Sequence, residues 1–155
     1  MKDVKGQSPA DPAGPLTSTL TFRLGTLGAI ATERFTEAVQ AHGLKPKQVG
    51  LMAVLAAGTA DSQQDIARTM GVAPSLVVSL ADHLETLGAI RRERDPNDRR
   101  RQVLTLTDRG HTLLAECTTA AHTLDAALTE ALPPAARQAL HQALTTLAAQ
   151  AGLPT

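Results

Sequence analysis

Two groups of residues in this 155-residue chain have the types and spacing for contact with a polyanion. The first is an arginine cluster. Arg91, Arg92, Arg94, Arg99, Arg100 and Arg101 are six of the chain's eleven arginines, and they surround the short run "DPND" at positions 95–98. Guanidinium groups bind phosphates bidentately and are favoured in narrow minor grooves, where the negative potential is strongest. The second group is Ser75, Val78, Ser79, Asp82 and Thr86. At about 100° per residue these positions share one side of a helix. The hydroxyls suit phosphates or base edges, and Val78 suits a thymine methyl. Asp82 has two open roles: accepting from a cytosine amine, or pairing with a nearby arginine.

Net charge hides this cluster. The chain holds 15 basic and 15 acidic residues. Between positions 91 and 101 the six arginines meet only Glu93, Asp95 and Asp98, a local net of +3. Between 111 and 155 Arg137 meets Glu116, Asp125 and Glu130, a net of −2. Fields act locally, so a neutral total does not exclude a nucleic-acid partner. The arginines cannot all face one way, because alternate strand residues point to opposite sides. Asp95 and Asp98 are expected to pair with some of them and hold the tip in place.

No other motif offers catalytic chemistry. A Gly-rich phosphate loop, G-x-S-x-G and H-E-x-x-H are all missing. No catalytic residue, cofactor or metal is therefore expected. His42, His83, His111, His122 and His141 lack ligand-type spacing and read as exposed or capping residues, with a metal site across a dimer left open. Cys117 is the single cysteine, so an intrachain disulfide is excluded; it reads as a small buried apolar residue in a reducing compartment. The first fifteen residues lack the apolar core of a secretory signal, and no apolar run is long enough to span a bilayer. A soluble cytoplasmic protein with no membrane partner is expected.

The elements that must position the two groups follow from periodicity and punctuation. Alanine and leucine dominate the 43% apolar content, and Phe22 and Phe35 are the only aromatics, so helix is favoured over sheet. Residues 1–15 read as a mobile tail. Leu20, Leu24, Leu27, Ile30 and Ala31 mark a helix from 17 to about 42, stopped by Gly43. Pro46 opens a short helix ended by Gly58. Ser62 with Asp65 resembles a capping box for a helix closed by Gly71. A third short helix follows at once, with Leu76, Val77, Leu80, Leu84 and Leu87 inward, and Gly88 ends it. Two short helices about a tight Gly-containing turn make a helix-turn-helix. Ile90 to Arg94 and 101–106 then read as a hairpin about "DPND". Thr107 caps a long helix from 108 to about 131, broken by Pro133 and Pro134, and a last helix runs from 134 to 150.

A helix-turn-helix followed by a basic hairpin is a winged helix-turn-helix, whose second helix enters the major groove of duplex DNA. "DPNDRRRQVLTLTDRG" resembles the wing signature of the multiple antibiotic resistance regulator (MarR) family: Asp98-x-Arg100, a short strand, then Leu106-Thr107-x-x-Gly110. Leu84, Glu85 and Gly88 extend the match upstream, and the helix order matches from about 17 to 150. The resemblance implies a mainly α fold with a small β-hairpin wing, in one domain over 16–150. It implies a DNA-binding lobe at 46–107 and dimerisation helices at 16–43 and 108–150. It also implies a homodimeric transcription regulator, often a repressor, on a pseudo-palindromic operator, released by a small effector of unknown identity bound between the dimerisation helices and the DNA-binding lobe.

The residues expected at DNA are Ser62, Gln63, Pro74, Ser75, Val78, Ser79, Asp82, Arg94, Asp98, Arg99, Arg100 and Arg101, with Arg99 and Arg100 nearest the tip. Leu140, Leu144 and Leu147 are expected at a dimer or core face. Phe22 and Phe35 suit a ligand cavity or core packing equally. The rival readings are a winged-helix protein–protein interaction module and, behind it, a small helical enzyme.

Overall fold

A computed structural model describes residues 14–58, 60, 62–95, 98 and 102–153. The described chain forms six α-helices and one antiparallel hairpin: α1 (Leu20–Gln40), α2 (Pro46–Ala57), α3 (Gln63–Met70), α4 (Pro74–Thr86), β1 (Ile90–Arg94), β2 (Gln102–Leu106), α5 (Asp108–Leu128) and α6 (Pro134–Gln150). The mainly α fold with a hairpin wing is therefore present, and local sequence signals account for most of the boundaries.

Two boundaries differ from expectation. The first helix starts at Leu20 rather than 17. A single 3-10 turn, Leu16–Ser18, comes first, and the Thr19 hydroxyl accepts the Phe22 N–H at 3.2 Å. A side-chain cap satisfies an N–H left over at a helix start, so α1 begins after Thr19. The long fifth helix ends at Leu128 rather than about 131. The Thr129 hydroxyl donates to the Asp125 carbonyl at 2.6 Å, and the Arg137 guanidinium donates to the Thr129 carbonyl at 3.2 Å. The Asp125 carbonyl also keeps the Thr129 N–H at 3.1 Å, whereas at the Thr129 carbonyl Arg137 stands in for the N–H that Pro133 lacks. The described part of the second strand begins at Gln102, and residue 101 lies outside the described residues.

The core sits where α2, α4, the root of the hairpin and the start of α5 meet. Leu51, Met52, Val77, Leu84, Ile90 and Cys117 are fully buried there. Burying each large aliphatic side chain is worth about 1.5–3 kcal/mol. The inward stripe of α4 holds as expected, with Val77, Leu80 and Leu84 buried and Leu76 and Leu87 packed against the cluster. Cys117 is the buried apolar residue the sequence suggested, and burial pushes its thiol pKa up.

The apolar stripe of α1 behaves differently. Only Val39, near its C-terminal end, is buried in this chain. Leu20 and Leu27 are 77% and 58% exposed, and Leu24 and Ile30 are also exposed. On α6 no residue is buried, and Leu140, Leu144 and Leu147 face outward. These leucines keep their helical spacing, and this chain alone does not cover them.

Candidate nucleic-acid interface

The helix-turn-helix is built by caps. Ser62 precedes α3; its hydroxyl accepts the Asp65 N–H at 3.1 Å and donates to the Asp65 carboxylate at 2.6 Å. Gln63 opens the helix and is half-buried. α4 starts with Pro74 in its first turn, where a missing N–H has no cost. Pro74, Ser75, Val78, Ser79 and Asp82 are all exposed, as expected of an outward face. Thr86 also lies outward, but its hydroxyl donates to the Asp82 carbonyl at 2.9 Å and is satisfied within its own helix.

The wing leaves α4 through a tight turn at Gly88. Its φ of +69° lies in the left-handed region, which costs glycine least. The N–H groups of Gly88 and Ala89 then close onto the carbonyls of Glu85 and Leu84. β1 pairs antiparallel with β2, setting Ile90 opposite Leu106, Arg92 opposite Leu104 and Arg94 opposite Gln102. Ile90, Arg92 and Arg94 thus share one face with Leu104 and Leu106, while Arg91 and Glu93 take the other. On that second face Arg91 and Glu93 pair at 2.5 Å.

Arg92 lies on the face turned toward α4. Its guanidinium pairs with Asp82 and with Glu85, one turn apart on α4. Its pKa is raised, chiefly by the hydrogen bond to Asp82 and against the desolvation that opposes it. The Arg92 side chain is 22% exposed while its two carboxylate partners are open to solvent, so the clasp is sheltered only on the arginine's side. Of the two roles left open for Asp82, the arginine pairing is the one observed. Arg94 and Asp98 are exposed toward the tip; Arg99, Arg100 and Arg101 lie outside the described residues.

The base of the wing is locked from behind. The Thr107 N–H donates to the Ala89 carbonyl at 3.1 Å, and its hydroxyl donates to the Gly88 carbonyl at 2.6 Å. The same hydroxyl accepts the Gly110 N–H at 3.1 Å and caps α5. A Cβ on Gly110 would lie 2.0 Å from the Ala89 carbonyl oxygen, so only glycine fits there. Thr107 and Gly110 of the wing motif therefore hold the α4–β1 turn against α5; neither is placed to reach out.

Behind α4, the His83 Nε2 lies 3.3 Å from the Gly43 carbonyl oxygen, and His42 Nδ1 lies 3.1 Å from Glu116. His42 is thus half-buried with its ring against Glu116 rather than simply exposed. Among the described residues no group of three or more His, Cys, Asp or Glu is arranged to hold a metal. No described helix is long and apolar enough to cross a membrane. A shallow groove of about 280 Å³ runs between α1 and α5, lined by Phe35, Ala31, Leu124 and Leu128 with Thr32 and Asp125 at its polar edge. Phe35 lines it and Phe22 does not.

Sequence reasoning left an Asp82–arginine pairing open without singling out Arg92 or Glu85, and it missed the close approach at Gly110. The i, i+3 spacing of Asp82 and Glu85, ahead of a strand rich in arginine, was the available signal for the first. The second had no local signal, because the clashing carbonyl lies 21 positions earlier in the chain.

Comparison with known proteins places these observations. The sequence model of the MarR family matches residues 42–101, from just after α1 to just before β2. A protein of Thauera aromatica described as a transcriptional regulatory protein for the hcr operon is 32% identical over 103 residues, 66% of this chain. That match spans 62% of the relative's own length. The transcriptional repressor CouR, solved bound to a 23-mer DNA duplex, is 34% identical with a TM-score of 0.75, covering 87% of this chain and 96% of that one. CouR from Rhodococcus jostii RHA1, solved with p-coumaroyl-CoA, superposes at a TM-score of 0.76 and 25% identity, over 92% of this chain and 98% of that one.

Proposed function

The chain belongs to the MarR family of transcriptional regulators, and from that premise we propose that it is a ligand-responsive repressor acting as a homodimer on a pseudo-palindromic operator. The observation that carries this reading is the exposed face of α4, Ser75, Val78 and Ser79, beside a basic wing whose root is fixed. In this reading 46–107 is the DNA-binding lobe, and 16–43 with 108–150 is the dimerisation region. α4 enters the major groove with Pro74, Ser75, Val78 and Ser79 nearest the bases, and the start of α3, Ser62 and Gln63, approaches the backbone. Arg94, Arg99, Arg100 and Arg101 reach the minor groove or its phosphates, with Asp98 holding one of them. Asp82 acts through Arg92, setting the angle of the wing.

The uncovered leucines of α1 and α6 support the dimer, since two copies would bury them together. CouR's complex with p-coumaroyl-CoA supports a small-molecule effector for this chain as well, and an aromatic acyl thioester is the first class to try. An effector that favours a dimer with mismatched α4 spacing shifts the population away from the DNA-bound state. The family and fold are those of transcriptional regulators rather than enzymes.

The test is binding to duplex from the protein's own upstream region across a salt series. Counterion release predicts an affinity that falls steeply with salt, with a slope of about −0.9 per phosphate neutralised. Equal binding to random duplex at moderate salt would favour the protein–protein module instead.

A further inference from the structure

The first two turns of α4 read "PSLVVSLA", with no acid, amide or cation among them. Ser75, Val78 and Ser79 lie on the exposed face, and Val78 is 41% exposed. Serine is short, so the methyl groups of Val78 project furthest from this face. A β-branched residue at an open helix position is locally unfavourable, and Val77 beside it already fills the core. The next turn has the first carboxylates, Asp82 and Glu85, and both are engaged by Arg92. Both carboxylates of the helix are therefore charge-compensated by the wing, each through one oxygen. The helix has no arginine or lysine to bind guanine bidentately, and no asparagine or glutamine to bind adenine.

We propose that Val78 is the specificity-determining residue of α4, reading the C5-methyl of a thymine in each half-site between the hydroxyls of Ser75 and Ser79. This rests on the reading of α4 as the helix in the major groove. Short side chains let the helix lie close to the base edges, and the C5-methyl is the one apolar group displayed there. Specificity at that position is then a packing contact, separable from the charge that the wing contributes.

The experiment uses the full-length chain and duplexes it selects from a random pool. In a selected duplex each thymine is replaced in turn by deoxyuridine, which removes only the methyl. At one position per half-site the affinity should fall about fourfold, and about 15-fold when both are replaced, the worth of one buried methyl each. Replacing that T·A pair by 5-methylcytosine·G should retain more affinity than replacing it by C·G. Val78→Ala keeps the helix and should bind thymine and deoxyuridine duplexes equally. Specific binding with no thymine-to-deoxyuridine effect at any position would overturn the inference and leave the regulator standing. Discrimination that survives in Val78→Ala would overturn the role of Val78. A pool with no enriched sequence would overturn both.

Discussion

The α4–wing junction and the α1/α6 face are opposite solutions to the same problem of covering a helix. At the junction every element is closed within one chain. Thr107 bonds to both residues of the α4–β1 turn, Arg92 ties β1 to Asp82 and Glu85, and Gly110 lets α5 approach the Ala89 carbonyl. On α1 and α6 the leucines have the same helical spacing but no cover. Gly25 and Gly28, inside α1, have nothing within 4 Å where a Cβ would stand. The difference separates a part whose geometry is fixed by its own fold from a part that one chain leaves uncovered. The proposed dimeric repressor would need both: a stiff head, and an adjustable spacing between heads.

The sharpest way to break the comparison is Gly110→Ala. Its Cβ meets backbone, which cannot swing aside as a side chain would, so the loss should reach about 3 kcal/mol or more. That corresponds to a Tm lower by roughly 6–12 °C in a chain of this size, read by circular dichroism. A drop below about 2 °C would mean that the junction is looser than described.

Next comes the other side of the comparison. Leu27→Glu with Leu144→Glu places charges on faces that are already exposed in one chain. The single chain should tolerate them, while the assembly should not. Sedimentation at micromolar concentration should show dimer for the parent and monomer for the variant. DNA affinity should fall by about 100-fold or more, because the second head loses its effective concentration. An unchanged dimer would place the interface elsewhere.

Arg92→Ala should separate aim from stability. Partly exposed ion pairs contribute about 0.2–1 kcal/mol each, so Tm should move by only a few degrees. If the clasp aims the wing, operator affinity should still fall by about tenfold, a loss not restored by Arg92→Lys, which lacks the two-pronged geometry. Full rescue by lysine would reduce the clasp to simple charge balance.

The smallest effect concerns Cys117. Burial pushes its thiol pKa up, so folding favours the protonated form. Any contribution is fully present below the free thiol's value, about 8.5, and is lost as pH rises through the higher folded value. Native protein at neutral pH should react with a thiol reagent at least about 100-fold more slowly than urea-unfolded chain. Fast labelling would show that α5 opens readily at its buried turn.

Much of the fold was legible because its signals are local. Ser62 and Thr107 cap the helices they were expected to cap, and Pro133 and Pro134 separate α5 from α6. The start of α1 was misplaced because the Thr19 cap sits inside an otherwise helical pattern. For the candidate site, helical spacing was enough to expose Ser75, Val78 and Ser79. It could not choose among six arginines. Arg92 was selected by strand register and by the facing pair on α4, which depend on how two elements pack. Periodicity was equally blind to whether the leucines of α1 and α6 meet their own chain or another, since both demands produce the same stripe.

The central claim, a specific DNA-reading dimer, is tested most directly by one competition measurement. The parent protein is titrated onto labelled duplex from its own upstream region at physiological salt, against unlabelled specific and scrambled duplexes of equal length. The account predicts that the scrambled duplex competes about a thousandfold or more weakly. Equal competition by the two duplexes would contradict it.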